Sequence, residues 1–326
     1  MPILVDTLYI WPLFAAAFLF DIFAGEYPGI MHPVVWMGTG IRRGIDIVDA
    51  YSHRALRFLG GTVIVICGLA LVGAASGLIA AWFAAAAPFS VTWILTGLIT
   101  VFLIKSSFSL TGLLKAAGTV NDALKAENLK DARRRTATHL VSRDTSDLNE
   151  NEIAAAVIES VAENLTDSII APWFFLFVGG VGAALAYRFA NTCDSMMGYR
   201  NEKYEWLGKF AARFDDLLNF IPARIAALLI SLSAAMQPDC SGKNAFKTML
   251  REHRVTESPN AGWTMSAAAG ALGLRLVKAS HYSISGGESL PDRVDIERII
   301  RVIKGAAASA LVILAVLIIL AAGVLF

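Results

Sequence analysis

Three carboxylates recur every four residues in the stretch ESVAENLTD, at Glu159, Glu163 and Asp167. On a helix that spacing places all three on one face. Like charges so placed repel and weaken an isolated helix. Grouped carboxylates hold magnesium, often together with substrate phosphates. They also serve as general bases toward an amine or a hydroxyl. The same block, residues 142–167, supplies Arg143, Asp144, Asp147, Glu150, Glu152 and Asn164. The plainer alternative is a solvated helix face, capped by Asp144 or Ser146. The uncharged run SIIAPWFFLFVGG follows directly, and ionisable groups at a membrane edge are seldom incidental.

A second group lies in YRFANTCDSMMGYRNEKYEWLGKFAARFDDLLNFIPAR, residues 187–224. Asn191 and Asp194 are three apart and share a helix face. Gly198 permits a tight turn after them. Arg213, Asp215, Asp216 and Asn219 follow, and then Arg224 inside an apolar run, where an unpaired cation is costly. Arg224 reads as a side chain snorkelling to the interface, or as a clamp on phosphate or carboxylate, which the guanidinium fork suits. Asp215 or Asp216 would equally serve as its structural partner. A third group is REHRVTESPNAGWTMSAAAGALGLRL, residues 251–276. Arg251 and His253 precede the turn SPNAG, and Asn260 stands near the start of a small-residue helix whose free N–H groups favour anions. His253 has no second histidine at a chelating spacing and reads as structural. In GEYPGIMHPVVWMG, residues 25–38, His32–Pro33 follows an apolar run and Trp36 suits an interface. The chain has no GxxxxGK[ST] loop, no GxGxxG fingerprint before a strand and no GxSxG elbow. Any nucleotide must be held in another way.

The elements that position these groups are mostly apolar. Of 326 residues, 56% are hydrophobic and 17% charged, and the mean hydropathy is +0.58. A soluble domain carries roughly 25% charged residues, so the composition indicates an integral membrane protein. A net charge of +1 offers no basic surface for nucleic acid. Cys67, Cys193 and Cys240 are scattered and odd in number, which suggests neither a disulfide framework nor a zinc site. The run LYIWPLFAAAFLF lacks a basic leader and a cleavage pattern, and reads as a first membrane helix.

A span needs about 20 apolar residues. Residues 60–104, 168–187 and 305–326 hold no charge, and 221–237 hold only Arg224. Pro88 breaks the first of these runs into two. The expected spans are 7–23, 60–87, 89–111, 168–187, 221–237 and 305–326. The polar segments 112–167, 188–220 and 238–304 read as helical, with loops at QPDCSGKN, SPNAG and SISGGESLP. The expected fold is all-α: a polytopic membrane bundle with five or six hydrophobic segments and amphipathic polar helices between them. Residues 1–326 form a single membrane domain, multi-pass in the cell membrane, with the lipid bilayer as a partner. Basic residues in 25–59 and 112–167 put those flanks on one side. Residues 168–187 either cross fully or form a helix broken at Gly179–Gly180, since non-helical backbone is tolerated where protein buries it.

HPVVWMG, SRDTSDLNENEIAAAVIESVAEN, the 190–224 block and the 251–276 block, in that order, resemble the successive motifs of the CobD/CbiB family, the adenosylcobinamide-phosphate synthases of cobalamin biosynthesis. The resemblance covers nearly the whole chain. It implies an integral membrane, ATP-dependent ligase that joins adenosylcobyric acid, a corrinoid, to (R)-1-amino-2-propanol O-phosphate or a related amino-alcohol phosphate. The product is the amide adenosylcobinamide phosphate. The cofactors implied are ATP and Mg2+, with room for association with other enzymes of cobalamin biosynthesis. Within the matched motifs, Glu159, Glu163, Asp167 and Asp194 are the catalytic candidates. Glu159, Glu163 and Asp194 are the candidate magnesium ligands. Arg143, Arg213, Arg224 and Arg251 would contact phosphate or carboxylate, and Asn164, Asn191 and Asn260 would orient substrate. Two other readings compete. One is a non-catalytic membrane sensor of the AmpE type, which the density of polar positions disfavours. The other is a transporter, which a broken helix would suit, although no internal repeat is evident.

Overall fold

A computed structural model describes residues 2–278 and 281–325. Lipid offers backbone groups no hydrogen bonds, so an apolar chain satisfies them internally as helix. The helices run α1 Pro2–Ala24, α2 Pro33–Val48, α3 Arg54–Ala85, α4 Val91–Ser107, α5 Leu110–Lys125 and α6 Leu129–His139. They continue as α7 Glu150–Leu165, α8 Ala171–Met197, α9 Lys209–Leu218, α10 Phe220–Ala235, α11 Gly242–Glu252, α12 Ala261–Leu272 and α13 Arg293–Leu325. Four helical stretches are long and apolar enough to cross a membrane: Arg54–Ala85, Val91–Lys125, Glu150–Met197 and Arg293–Leu317. Helices α9 and α10, bent by 51° at their junction, make a fifth if taken as one span, and Ile10–Ala24 is a shorter apolar helix. The all-helical membrane architecture expected from the sequence is therefore observed. Every expected span has a helix.

Two local features differ from expectation or resolve it. SISGGESLP is not wholly a loop: β2, Tyr282–Ser285, pairs antiparallel with β1, Arg275–Lys278. The alternation of Leu276 and Ile284, both fully buried, with exposed Arg275 and Ser285 explains the strand. The break at Gly179–Gly180 is real. Gly180 has φ 69°, a conformation that favours glycine, and it interrupts α8.

The chain divides into two compact units, Met1–Ser109 with Ala171–Leu218, and Leu110–Ile170 with Asn219–Phe326. In the first, α3 and α8 pack together with α2 and α9 around Ile41, Val65, Phe189, Cys193, Met197 and Leu207. Helix α1 packs on α4. There the fully buried Lys105 ammonium lies 3.2 Å from Asp21 and 3.0 Å from Glu26. Glu26 also meets His32 Nε2 at 3.1 Å, and His32 Nδ1 caps α2 by accepting from the Val34 N–H. Lys105 was not singled out in the sequence, because it sits at the end of an otherwise uncharged run. In the second unit α7 is central. Its run Ile153–Ala162 is buried throughout, and α5, α12 and α13 pack against it. Alanines at 154–156 and 162 let these backbones approach closely.

Burial opposes the ionised form of Glu26, but the bonds from His32 and Ser109 and the charge of Lys105 outweigh it and hold the carboxyl at about 2. A folded value below the ordinary 4.5 contributes stability that is present above that value and lost as pH falls toward about 2. Thermal unfolding in detergent between pH 6 and pH 3 should show the midpoint falling with acid, and Glu26→Gln should flatten that fall. Lys105→Met leaves two acids without their cation and should destabilise the fold by about 3–5 kcal/mol, read from the same melts.

Candidate functional site

The acidic block begins with a helix start of a different kind from the expected one. The cap of α7 is Asn149, neither Asp144 nor Ser146. Asn149 Oδ1 accepts from Glu152 N at 3.0 Å, and Glu152 Oε2 accepts from Asn149 N at 2.8 Å, a reciprocal capping box. Asp144 instead accepts from Ser146 N at 2.9 Å in the turn before it.

The acids that share one face by their spacing have three different environments. Glu159 is only 6% exposed, Glu163 is exposed, and Asp167 is half-buried. The cause is packing: neighbouring helices cover α7 at Glu159, and a π turn over Thr166–Ile170 changes the helical phase at Asp167. Asn164 braces the join, donating to the Ser160 carbonyl at 2.9 Å and accepting from Ser168 Oγ at 3.4 Å.

Glu159 has the most unusual surroundings. Arg143 Nη2 stands 3.8 Å from Glu159 Oε2, an ion pair too long for a hydrogen bond. Glu159 Oε1 and Arg143 Nε are both buried with no hydrogen-bond partner. Such orphaned groups are costly inside a protein, and here an acceptor and a donor lie side by side. Lys278 and Tyr282 act on the same carboxylate from the hairpin. Burial first, and then the negative charges of Glu159 and Glu163, push the Tyr282 phenol far above its ordinary range. It therefore stays protonated, as a donor. These two residues were missed in the sequence; the alternating strands LVK and YSIS carried the only signal.

Arg224 and Asn260, two residues singled out from sequence, do come together. Arg224 Nη1 donates to Asn260 Oδ1 at 2.6 Å and to the Phe220 carbonyl at 2.7 Å. Its guanidinium lies 3.8 Å over the Phe220 ring and 4.8 Å over Trp263. It is thus held between aromatic faces. Asp215 accepts from Asn191 Nδ2 at 3.3 Å. Asn260 does stand at the start of α12, as expected. His253 stacks on Trp263 at 4.1 Å and bonds the Met249 carbonyl at 3.0 Å, a structural role. Arg251 donates to the Ser285 carbonyl at 2.5 Å and pairs with Glu252 at 2.8 Å, so it anchors the hairpin.

The remaining candidates lie in the first unit. Arg188 Nη1 donates to Asn191 Oδ1 at 3.3 Å, which links Arg188, Asn191 and Asp215. Asp194 is partly buried within electrostatic reach of Asp216. The turn after it closes through Gly198 N–H donating to the Asp194 carbonyl at 2.6 Å. A Cβ on Gly198 would stand 2.0 Å from Asp194 Oδ1 and 2.7 Å from its carbonyl oxygen. Arg213 is exposed on α9. Among the described residues, no three His, Cys, Asp or Glu side chains converge as a metal site. Glu159 and Glu163 share α7, and Asp194 belongs to the other unit.

Long apolar helices around buried charged and amide groups define a multi-pass helical membrane protein. Comparison with known proteins gives the family. The model of the CobD/Cbib protein family matches residues 14–312, and the chain belongs to that family. It is 42% identical over 272 residues to the cobalamin biosynthesis protein CobD of Dehalococcoides mccartyi, covering 83% of this chain and 85% of that one. It is 38% identical over 278 residues to the CobD of Klebsiella pneumoniae, covering 85% and 84%. Identity to the cobalamin biosynthesis protein CbiB of Salmonella arizonae is 37% over 270 residues, covering 82% of each. No solved structure matches.

Two substitutions test this geometry. Arg224→Lys keeps the charge but loses the planar fork and its stacking; it should lower stability by about 1.5–3 kcal/mol in chemical unfolding, the worth of charged hydrogen bonds. Gly198→Ala forces the Asp194 backbone to move and should cost about 1–3 kcal/mol, whereas Gly29→Ala, with open space around it, should cost little.

Proposed function

We propose that this protein is an adenosylcobinamide-phosphate synthase, an ATP-dependent ligase acting at the membrane. It would join adenosylcobyric acid to (R)-1-amino-2-propanol O-phosphate, or a related amino-alcohol phosphate. Membership of a cobalamin-biosynthesis family supports the pathway. The observation that carries the chemistry is Glu159: a buried carboxylate with one oxygen unpartnered, a guanidinium 3.8 Å away, and Lys278 and Tyr282 acting on it from the hairpin.

A carboxylic acid does not condense with an amine at neutral pH. ATP would supply activation by forming an acyl phosphate, with magnesium screening the phosphate oxygens. Magnesium is held by one or two carboxylates together with waters and phosphates. The unpartnered oxygen of Glu159, with Glu163 one turn away, fits that requirement. The amine nitrogen then attacks the acyl carbon. The C–N bond forms, the C–O bond to phosphate breaks, and inorganic phosphate leaves. The ammonium proton must be removed first, a role for a carboxylate base among Glu159, Glu163, Asp167 and Asp194. Arg143 would contact anionic oxygens, as would Arg213, whereas Arg224 and Arg251 are taken up by the contacts described above. Asn164, Asn191 and Asn260 would orient substrate groups.

The broken helix at Gly180 is the one observation that favours transport instead. The full-length protein in detergent or nanodiscs, given ATP, Mg2+, adenosylcobyric acid and aminopropanol phosphate, decides between them. ADP release that needs both organic substrates supports the ligase. Uptake into liposomes without ATP turnover overturns it. Glu159→Gln should lower amide formation about 100-fold or more, the scale of a lost acid–base group, and undiminished activity would remove Glu159 from the mechanism.

A further inference from the structure

The hairpin β1–β2 is placed more firmly than a surface loop. Asn244 Nδ2 donates to the Gly270 carbonyl at 2.7 Å and to the Gly286 carbonyl at 2.8 Å. Arg251 fixes the Ser285 carbonyl from α11. Leu276 and Ile284, paired across the strands, are fully buried. Side chains two apart on a strand point the same way. The face that buries Leu276 and Ile284 therefore also carries Lys278 and Tyr282, the next cross-strand pair. Strand β1 packs against α7. The Lys278 ammonium lies 5.8 Å over the Tyr282 ring, and both side chains act on Glu159.

A lysine and a tyrosine at the end of an inward face need a reason. A purely structural hairpin would continue that face with apolar residues, as its first cross-strand pair does. What lies opposite is the carboxylate of Glu159, whose Oε1 has no partner, beside Arg143, whose buried Nε has none. Arg143 and Lys278 thus bring two cations to the buried carboxylate, with Glu163 a second acid near Tyr282, and the unpartnered Arg143 Nε is a donor open to an anionic guest. The Tyr282 hydroxyl, on the same inward face of a strand pair packed against α7, is a donor suited to fixing the carboxylate.

We propose that the hairpin is a functional arm of this site. Lys278, with Arg143, binds oxyanions of a phosphorylated ligand, and Tyr282 is a positioning residue that orients Glu159. The proposal rests on the ligase reading for the reaction but not for the binding. Two measurements separate the parts. The first is equilibrium binding of inorganic phosphate to the full chain in detergent, followed by 31P line broadening, with no turnover involved. Lys278→Met should weaken it at least tenfold, Lys278→Arg should restore it to within threefold, and Tyr282→Phe should leave it unchanged. The second is steady-state amide formation. Tyr282→Phe should lower kcat at least tenfold with KM within twofold, while Lys278→Met should act chiefly on KM for the phosphorylated substrates. If phosphate does not bind the unaltered protein, or binds Lys278→Met equally well, the anion role of the arm is overturned. If phosphate binding behaves as described but no amide forms in the unaltered protein, the ligase reading fails and the arm stands. If Tyr282→Phe turns over like the unaltered protein, or loses activity only in step with its melting temperature, Tyr282 has no positioning role.

Discussion

A carboxylate buried in the middle of a helix is expensive, and Glu159 is the constraint around which the second unit is arranged. An ionised group taken from water and left unpaired costs several kcal/mol or more. Helix α7 itself offers no counter-charge at that level; its neighbours on the helix are Ile158, Ser160, small apolar residues and a second acid, Glu163. The cations must come from elsewhere in the sequence. Arg143 arrives from the turn before the helix, and Lys278 from a hairpin more than a hundred residues later. The alanines of α7 and α12 admit the close packing that buries the acid. The capping box at Asn149 and the anchors at Asn244 and Arg251 fix the start of α7 and the hairpin that brings the second cation.

The two units handle buried charge in opposite ways. In the first, Lys105 meets Asp21 and Glu26 at hydrogen-bonding distance, and Glu26 passes the interaction on to His32. This is how a structural ion cluster is finished. In the second, the pair at Glu159 stays open at 3.8 Å with orphaned atoms on both partners. The orphaned donor and acceptor side by side at Glu159 are what the proposed ligand site rests on. Arg224 belongs with the staples, since aromatic faces and amide oxygens occupy its guanidinium.

The apolar spans were legible in the sequence because lipid imposes helix on any long uncharged run, and length alone identifies them. Gly179–Gly180 was legible as a break for the same reason: few other residues tolerate that backbone. The acids of 159–167 could be named but not ranked. Their spacing is uniform, whereas their burial depends on which helices pack over α7 and on a π turn that no residue pattern marks. Lys278 and Tyr282 were invisible because the hairpin is only four residues per strand, and its turn residues resemble the loop chemistry around it. Lys105 was hidden by its place at the edge of a span, where one lysine ordinarily means a membrane boundary.

The Lys105 cluster also bears on how the chain is made. Synthesis delivers Asp21 and Glu26 first, and Lys105 emerges 79 residues after Glu26. At roughly 5–20 residues per second, that interval lasts about 4–16 s. Throughout it, the Lys105 ammonium that meets Asp21 in the finished fold has not been made. Helix α1 can reach its finished surroundings only once α4 has been made. The ion cluster at this end of the molecule can close only after that one ammonium group has been made.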